Sequence, residues 1–392
     1  MLNDMSSESI ARILPIFLHE VMLANFLAIG WVEGLAESLS IALRYTSGWL
    51  TDAIKKKKGL IAIGYSISAI TRPFYPFIIP VFGWMGAMVL KALDRVGKAV
   101  RMAPRDAFIA QDSYDGHRAE AFGLNRTLDT LGGLLGMVFV ALILLLYGNG
   151  NFLSPSLFKM MVFGASLFGF IGVGFVLFGL KENFLKKEIK NEKSFKTSGS
   201  LKDLPSLFYL YLISFSVFSL AGSSDAFLIL KLKSSGFSLV SILGLIIAYN
   251  LLATLVAYPI SRLSDQKNNR KIPLILGWII YGLTYFVFGW TFHITFLACA
   301  FVMYGLYYGF VESIEKTIVA DLVPKTHLGR AYGLFNLMNG LIILPANVIF
   351  GWVADRWNIE TGFLFSSGVA LVATGVLAVV TMVRQRRQLG GV

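Results

Sequence analysis

The stretch WMGAMVLKALDRVGKAVRMAPRDAFIA, residues 84–110, has the length and apolar background of a membrane-spanning helix, yet it carries seven charged side chains, six of which are assigned here to one stripe. On an α-helix, at about 100° per residue, all six fall within an arc of roughly 140°. Charges in hydrocarbon are costly, so such residues face partners or a water-filled cavity and mark transport paths. The pattern predicts an inward-facing charged stripe, made of Lys91, Asp94, Arg95, Lys98, Arg101 and Arg105.

The whole composition is that of a membrane protein. Of the 392 residues, 56% are hydrophobic and 15% are charged, whereas about 25% of residues are charged in soluble globular proteins. About twelve apolar runs of about 20 residues are each long enough to cross roughly 30 Å of hydrocarbon. The runs are continuous and do not alternate with a period of two, which excludes a β-barrel. The sequence predicts an all-α polytopic membrane protein.

The net charge of +12 would suit a nucleic-acid partner, but the positions of the charges argue against one. Basic residues concentrate in the even-numbered connections and at the C-terminus, as in the run Lys55–Lys58 and the tail Arg384–Arg387. The odd-numbered connections carry few basic residues. This positive-inside bias predicts that the even connections, the central loop and the C-terminus lie in the cytoplasm, with the chain in the cell (inner or plasma) membrane.

The sequence indicates no cofactor and no metal site. The single cysteine, Cys299, allows neither a disulfide framework nor a Cys-based metal centre. The histidines are scattered near predicted helix ends, and the chain has no G-x-x-x-x-G-K-S/T loop with which ATP could drive it directly. The expected partners are a small-molecule substrate, protons and the lipid bilayer, with the chain acting as a monomer.

Two segments of the first half of the chain return in the second half. GWLTDAIKKKK at residues 48–58 returns as SRLSDQKNNRK at 261–271, and AEAFGLNRTLD at 119–129 returns as GRAYGLFNLMN at 329–339. Both offsets are about 210 residues, which indicates an internal duplication. Duplicated six-plus-six helix architectures bring two bundles face to face across a central site.

The duplication predicts four segments. Residues 1–180 form an N-terminal six-helix bundle, 181–204 a cytoplasmic linker, 205–383 a C-terminal six-helix bundle and 384–392 a cytoplasmic tail. Only about 18 residues precede the turn before helix 2, less than a full bilayer span. We therefore expect helix 1 to be short at its N-terminal end, as though Met1 were not its native start.

The segment between helices 2 and 3 resembles the signature of the major facilitator superfamily of transporters, G-x-L-x-D-R-x-G-R-K. The chain departs from that signature at Ala53 and Lys55. The stretch RVGKAVRMAPRDAFIA, with AFGLNRTLDTLGG further on, resembles a prokaryotic branch of the superfamily. The matching residues are Gly48, Leu50, Asp52, Lys56 and Lys57 in the first copy and Leu263 and Asp265 in the second.

The resemblance implies the twelve-helix transporter fold, alternating access and a latch at Asp52 that stabilises the outward-facing state. The alternative for Asp52 is a solvated loop acid. Arg105 and Glu315 occupy corresponding positions of the two halves with opposite charge, which suggests ion pairs between halves that form in one state only. The predicted latch residues are Gly48, Asp52, Lys56, Asp265, Arg105 and Glu315.

The charged stripe has more bases than acids, and its deeper bases are candidates for binding an anion. The alternative is a structural ion-pair network in which Glu33, Glu37 or Asp129 meets the excess. Asp225 follows the small residues AGSS, which permit close packing or an unwound segment. The predicted substrate-binding residues are Lys91, Arg95, Lys98, Asp225 and Tyr304.

Carboxylates buried near cations can titrate close to neutral pH and carry protons. The proton-coupling candidates are Glu37, Asp94 and Asp129. We therefore predict a proton-coupled secondary transporter of a small anionic or metal-chelate solute, with export slightly favoured over uptake. The first alternative is a multidrug exporter for cationic lipophilic compounds, which requires acids facing the cavity and neutralised stripe bases. The others are a non-transporting sensor or receptor and a membrane-embedded enzyme, against which the scattered histidines argue.

Overall fold

The computed structural model describes seven ranges of the chain, and every regular element within them is a helix. The prediction of an all-α protein is therefore confirmed. The described residues are 1–53, 57–112, 118–148, 153–180, 204–266, 270–324 and 327–389.

The first half of the chain supplies α1 to α6. Proline at position 15 removes a backbone donor from α1, and the helix continues as a π-helical turn over Phe17–Val21. The second helix begins after Asn25, whose Oδ1 accepts a hydrogen bond from the Ala28 N–H at 2.9 Å. The bounds are α1 Leu2–Ile16, α2 Phe26–Ala53, α3 Lys57–Thr71, α4 Tyr75–Asp112, α5 Arg118–Tyr147 and α6 Pro155–Gly174.

The second half supplies α7 to α13. The seventh helix expected from the sequence, at 205–231, is broken at Gly222, where ψ of 99° leaves the helical region. The chain re-enters a helix at Ser224, whose Oγ accepts from the Ala226 N–H at 3.2 Å. The bounds are α7 Ser206–Ala221, α8 Asp225–Ser234, α9 Leu239–Gln266, α10 Lys271–Trp290, α11 Ile294–Leu322, α12 Leu328–Arg356 and α13 Ile359–Leu389.

Ten stretches of the described chain are long and apolar enough to cross a membrane. One of them, Lys57–Ile109, has 53 residues and is interrupted inside α4 by Gly83, at φ 57° and ψ −143°. At 1.5 Å per residue it is long enough for two crossings. The apolar runs of the sequence predict one helix over residues 59–82 and the next over 83–112, so the break at Gly83 falls at the predicted boundary between helices 3 and 4. The protein is therefore a multi-pass membrane protein.

The two ends of the helix bundle differ in charge. We call the end at which α2 and α9 finish the basic end, because the lysine-rich and arginine-rich connections follow there in the sequence. We call the opposite end, where α2 begins and α12 finishes, the far end.

Helices α2 and α12 run antiparallel and form the most extensive contact between the halves. Their backbones touch. A Cβ on Gly30 would lie 2.4 Å from the Asn347 carbonyl oxygen, and a Cβ on Gly351 would lie 2.4 Å from the Phe26 carbonyl oxygen. Small residues permit such close helix packing in membranes, where dispersion replaces the hydrophobic effect. The α1–α8 and α5–α9 pairs also join the halves.

Candidate functional site

A cavity of about 440 Å³ lies between the two halves. Helices α1, α2 and α4 line one side, and α7, α8, α10, α11 and α12 line the other. Acids outnumber bases on its wall. The charged lining residues are Glu8, Glu33, Glu37, Asp225 and Glu315 with Arg12, Lys91 and Arg95.

Helix α2 neutralises the deep bases of the charged stripe. The Lys91 ammonium binds the Glu33 carboxylate. One turn further, the Arg95 guanidinium lies 3.8 Å from the Glu37 carboxylate. The structure therefore brings together the acids and bases that the ion-pair alternative requires.

The remaining stripe residues turn to other partners. Asp94 accepts two hydrogen bonds from Arg72, at 3.0 and 3.2 Å, and Arg105 donates to Asp129 at 3.1 Å. Arg101 donates to the Ser68 hydroxyl at 3.1 Å. Lys98 does not line the cavity, and no described acid forms an ion pair with it.

The buried pair of Arg72 and Asp94 should matter strongly for stability. Arg72 is only 2% exposed and also donates to Asn3 of α1, at 3.0 Å. We expect Arg72→Leu to lower the free energy of unfolding by about 3–5 kcal/mol, because it leaves the Asp94 charge without its partner. The double variant Arg72→Leu with Asp94→Leu should lose much less of the free energy of unfolding, because no charge is then left without its partner. Detergent unfolding measures both, and equal losses in the single and double variants would contradict the pairing.

Asp225 is the centre of a second polar cluster, at the first turn of α8. Its carboxylate accepts from Arg12 at 3.3 Å and from the Tyr249 hydroxyl at 3.0 Å. The Tyr304 and Tyr308 hydroxyls donate to its other oxygen, each at 3.4 Å. Asp225 and Tyr304, both predicted from the sequence, thus meet at the cavity wall.

The tyrosines around Asp225 form a continuous aromatic surface. Tyr281 and Tyr285 stack with ring centroids 4.2 Å apart, and Tyr304 and Tyr307 stack at 5.5 Å. Tyrosine combines a hydroxyl with a π face that attracts cations. The tyrosine cluster consists of Tyr249, Tyr281, Tyr285, Tyr304, Tyr307 and Tyr308.

Two contacts at the cavity cross from one half to the other. Arg12 of α1 binds Asp225 of α8, and it also holds Glu8 of its own helix at 3.1 Å. The Ser224 hydroxyl, at the start of α8, donates to the Glu33 carboxylate of α2 at 3.1 Å. The break between α7 and α8 therefore presents its polar groups to the first half.

Glu315 differs from the other acids of the cavity. Within the described residues, no lysine or arginine forms an ion pair with its carboxylate. Its charged neighbours on α11 are Lys316 and Glu312, and the Trp278 indole of α10 lies beside it. The Tyr211 hydroxyl of α7 donates to the Glu315 backbone carbonyl, not to the carboxylate. Among the described residues, the Glu315 carboxylate therefore has no ion-pair partner.

The predicted latch residues lie apart in this structure. Lys56 falls outside the described residues, and of Gly48 and Asp52 only the helical backbone is described. Asp265 binds Arg270, which also contacts Asp321 of α11. Arg105 pairs with Asp129, whereas Glu315 lines the cavity. Arg105 and Glu315 therefore do not form an ion pair in this structure.

The fold and the cavity together define a class: a multi-pass membrane protein with a polar site between two helical halves. A model of the Major Facilitator Superfamily matches residues 1–344. An uncharacterised MFS-type transporter of Methanocaldococcus jannaschii is 31% identical over 381 residues, 95% of this chain and 90% of that protein. The chain therefore belongs to the major facilitator superfamily and is a membrane transporter of that type.

Two other similarities are informative. The crystal structure of the nucleoside transporter NupG matches with a TM-score of 0.76 over 97% of this chain and 96% of that chain, at 16% identity. This likeness concerns the fold alone. Multidrug resistance protein 2 of Bacillus subtilis is 26% identical over 135 residues, 34% of this chain and 33% of that protein.

Proposed function

We propose that the protein is a secondary transporter that exchanges protons for a positively charged organic solute by alternating access. The observation that carries this proposal is the cavity wall. Its stripe bases are held by carboxylates, while Asp225 lies in the tyrosine cluster and Glu315 lacks an ion pair among the described residues. These are the features that the cationic-solute alternative requires.

An anionic or metal-chelate solute is the second candidate. It would need free bases at the cavity, and Lys91 and Arg95 are engaged by Glu33 and Glu37. In its favour, the Arg95 pair is long at 3.8 Å, and Lys98 lies close behind on the same helix face. A solute carboxylate could therefore compete for Arg95.

The pair of Arg12 and Asp225 links solute binding to movement of the halves. It joins α1 to α8 across the cavity, so its rupture removes a contact that holds the halves together. A solute cation that binds Asp225 displaces the Arg12 guanidinium, which keeps Glu8 as a partner. Binding energy for the solute is thereby converted into a shift between conformations, as alternating access demands.

Glu315 is the group we assign to proton binding. The sequence candidates Glu37, Asp94 and Asp129 each form an ion pair, with Arg95, Arg72 and Arg105 respectively. Glu315 has no such ion pair among the described residues. Protonation of Glu315 removes one negative charge from the wall and weakens the attraction for a solute cation. Protons and solute therefore compete, which is the basis of exchange.

The orientation and direction follow from the same proposal. The basic end lies in the cytoplasm of the cell membrane, by the positive-inside bias, and the chain works as a monomer. At the far end, Glu20 of the first half lies 3.9 Å from Lys233 of the second half. The partial match to a multidrug resistance protein supports export of the solute.

Transport by purified protein in liposomes tests the proposal. We expect a fluorescent quaternary-ammonium dye to move against its own concentration gradient when an opposing proton gradient is imposed. This movement should stop when an ionophore collapses the proton gradient. Citrate with and without ferric ion, and a dicarboxylate, are the anionic probes. Proton-driven movement of an anion alone would overturn the cation proposal and support the second candidate. No movement of any probe, with dye binding retained, would favour a sensor.

Replacing Glu315 by Gln should uncouple dye movement from protons. The amide keeps the size of the side chain but binds no proton, so dye affinity should become equal at pH about 6 and about 8. Wild-type affinity should be higher at the higher pH, because a larger fraction of the Glu315 carboxylates has then lost its proton. Dye–dye exchange should persist in the variant, while proton-driven accumulation is lost.

The matched control for Glu315 is Glu312→Gln, one turn earlier on α11. Glu312 is 54% exposed and pairs with Arg126 at 3.2 Å. It should retain the pH dependence of dye affinity. A Glu315→Gln protein that still accumulates dye at the expense of a proton gradient would remove Glu315 from proton coupling.

A further inference from the structure

A second cavity, of about 490 Å³, opens on the outer surface of the first half. It lies between α3, α4 and the π-helical turn Phe175–Gly179 that follows α6. Within the described residues, it shares no lining side chain with the cavity between the halves. We call it the α3 groove. A ligand bound there would lie outside the proposed solute path.

The α3 groove has a buried floor and exposed apolar walls. Ala62 and Thr71 of the floor are buried. The exposed wall side chains are Ile63, Ile70, Leu93 and Leu177. In a membrane such a surface faces lipid, and the hydrocarbon core contains no water to fill a gap between its side chains. The shape and polarity of the groove therefore suit an acyl chain.

The length and depth of the α3 groove match one leaflet of the bilayer. Ala62 and Thr71 are nine residues apart on α3, which corresponds to about 13.5 Å of helix. Half of a hydrocarbon core of about 30 Å is about 15 Å. Helix α3 begins at the basic end, so the groove extends from near that end to the middle of the membrane.

A lysine lies at the mouth of the α3 groove. Lys58, Ala62 and Ser66 follow one another at steps of four residues, so they lie on one face of α3. The Lys58 ammonium donates to the Leu177 backbone carbonyl at 2.8 Å, and this contact joins the start of α3 to the turn that follows α6. That carbonyl is its partner among the described residues, whereas a lysine ammonium carries three donors. Two donors are therefore left for a ligand.

We propose that the α3 groove binds an anionic phospholipid of the leaflet at the basic end. The phosphate binds Lys58, and one acyl chain fills the groove from Ala62 to Thr71. Charge favours this occupant, because four lysines, Lys55–Lys58, precede the groove in the sequence. Basic residues at the cytoplasmic surface attract anionic lipids. A neutral lipid would fill the same groove but would leave Lys58 without an anionic partner.

The inner end of the α3 groove lies beside the buried ion pair of the first half. Thr71 and Leu93 directly precede Arg72 and Asp94, whose side chains are 3.0 Å apart. An acyl chain at this end keeps water away from the ion pair and packs against α3 and α4 together. A ligand that binds the folded state stabilises it. Bound lipid should therefore raise the midpoint temperature of unfolding.

Native mass spectrometry and thermal unfolding of the purified chain in detergent test the site. Delipidated protein is titrated with phosphatidylglycerol, with phosphatidylcholine and, as the headgroup alone, with glycerol phosphate. We expect phosphatidylglycerol to be retained as a single tightly bound molecule and to raise the unfolding midpoint. At the same concentrations, phosphatidylcholine should be retained less and should raise the midpoint less, and glycerol phosphate should have no effect.

Two variants remove the two halves of the proposed contact. Lys58→Gln should weaken phosphatidylglycerol binding by about fivefold, the effect of one basic residue at the membrane surface. Ser66→Phe places a ring in the α3 groove and should weaken binding by about tenfold or more, because it displaces several methylene groups of the acyl chain.

Each variant has a matched control. Lys159→Gln removes the same charge from an exposed position of α6 at the far end. Val138→Phe adds a ring on α5, at a position that is 42% exposed and does not line the α3 groove. Both control proteins should bind phosphatidylglycerol with the wild-type affinity.

The outcomes distinguish a lipid from other occupants. An equal shift with glycerol phosphate would show that the lysines bind a free anion, and equal retention of phosphatidylcholine would show that the groove selects no headgroup. Either result would overturn the proposal, as would unchanged phosphatidylglycerol binding by the Lys58→Gln protein. If Ser66→Phe does not fold, the comparison of Lys58→Gln with Lys159→Gln still decides. None of these results depends on which solute the protein carries.

Discussion

Replacing Asp225 by Asn is expected to reduce transport of a cationic dye by about 30-fold or more. Asp225 is the carboxylate on which Arg12, Tyr249 and Tyr304 converge at the cavity. Removing one member of a buried, hydrogen-bonded charge pair costs about 2–5 kcal/mol, and each 1.4 kcal/mol is tenfold in affinity. The variant loses the negative charge that binds the solute. It also loses the ion pair with Arg12, through which solute binding is coupled to movement of the two halves. Initial rates of dye flux in liposomes measure the effect.

The matched control is Glu120→Gln, which neutralises an exposed carboxylate at the start of α5. It should transport at the wild-type rate. Single Phe substitutions at Tyr304 and Tyr308, which each donate at 3.4 Å, should give smaller losses, of about tenfold or less, since the aromatic face remains. An Asp225→Asn protein that folds, elutes as wild type and still moves the dye would rule out Asp225 as the solute-binding group.

Replacing Gly351 by Val is expected to abolish transport by keeping the far end open. A Cβ at this position would lie 2.4 Å from the Phe26 carbonyl oxygen and 2.8 Å from the Leu27 Cα, both backbone atoms of α2. Neither atom can move without a shift of the whole helix. The two helices must separate by about 1 Å or more, which breaks the hydrogen bonds that the Phe26 and Leu27 N–H groups donate to the Asp355 carboxylate, each 2.8 Å long. The distance between spin labels attached at the exposed positions 23 and 234, one in each half at the far end, should increase, and dye flux should fall below detection.

The same helix offers a control, Gly333→Val, because a Cβ on Gly333 meets nothing within 4 Å. It carries the same change in side chain and in helix propensity, so any difference between the variants reports the contact with α2. Transport by the Gly351→Val protein at the Gly333→Val rate would mean that α2 and α12 do not need to touch for the cycle. Gly351→Ala should lie between the two, since its Cβ alone makes the clash.

Much of the fold could be predicted from sequence because it depends on local patterns. Apolar run length predicted a multi-pass helical protein, and ten described stretches are long and apolar enough to cross a membrane. The break at Gly83 falls at the predicted boundary between helices 3 and 4. The spacing of the stripe charges identified the face of α4 that turns inward. Glu33 and Glu37, proposed from the sequence as partners of the stripe bases, do form ion pairs with them. Helical periodicity determines which face of α4 is buried. Because few acidic residues lie in the neighbouring helices, the partners of the stripe bases could be named from the sequence.

The partners that sequence reasoning missed are distant in the chain. Arg12 and Asp225 are 213 residues apart, and pairing them requires knowing how the two halves dock. Arg72 follows α3 at a helix end, where an arginine usually reaches water, and only the tertiary structure turns it toward Asp94. The tyrosine cluster draws on three helices. Its members on α9 and α10, such as Tyr249 and Tyr285, give no local signal that separates them from packing residues.

The ion pairs of α4 also constrain how the protein enters the membrane during synthesis. A single α4 helix released into lipid would expose Lys91 and Arg95 without their acids, at a cost of about 2.5–3.5 kcal/mol for each charge. Glu33 and Glu37 are already present in α2, which is made first, and each would carry a similar cost alone. Helices α2, α3 and α4 are therefore expected to leave the insertion machinery together, as one assembled unit whose charges cancel before lipid surrounds them.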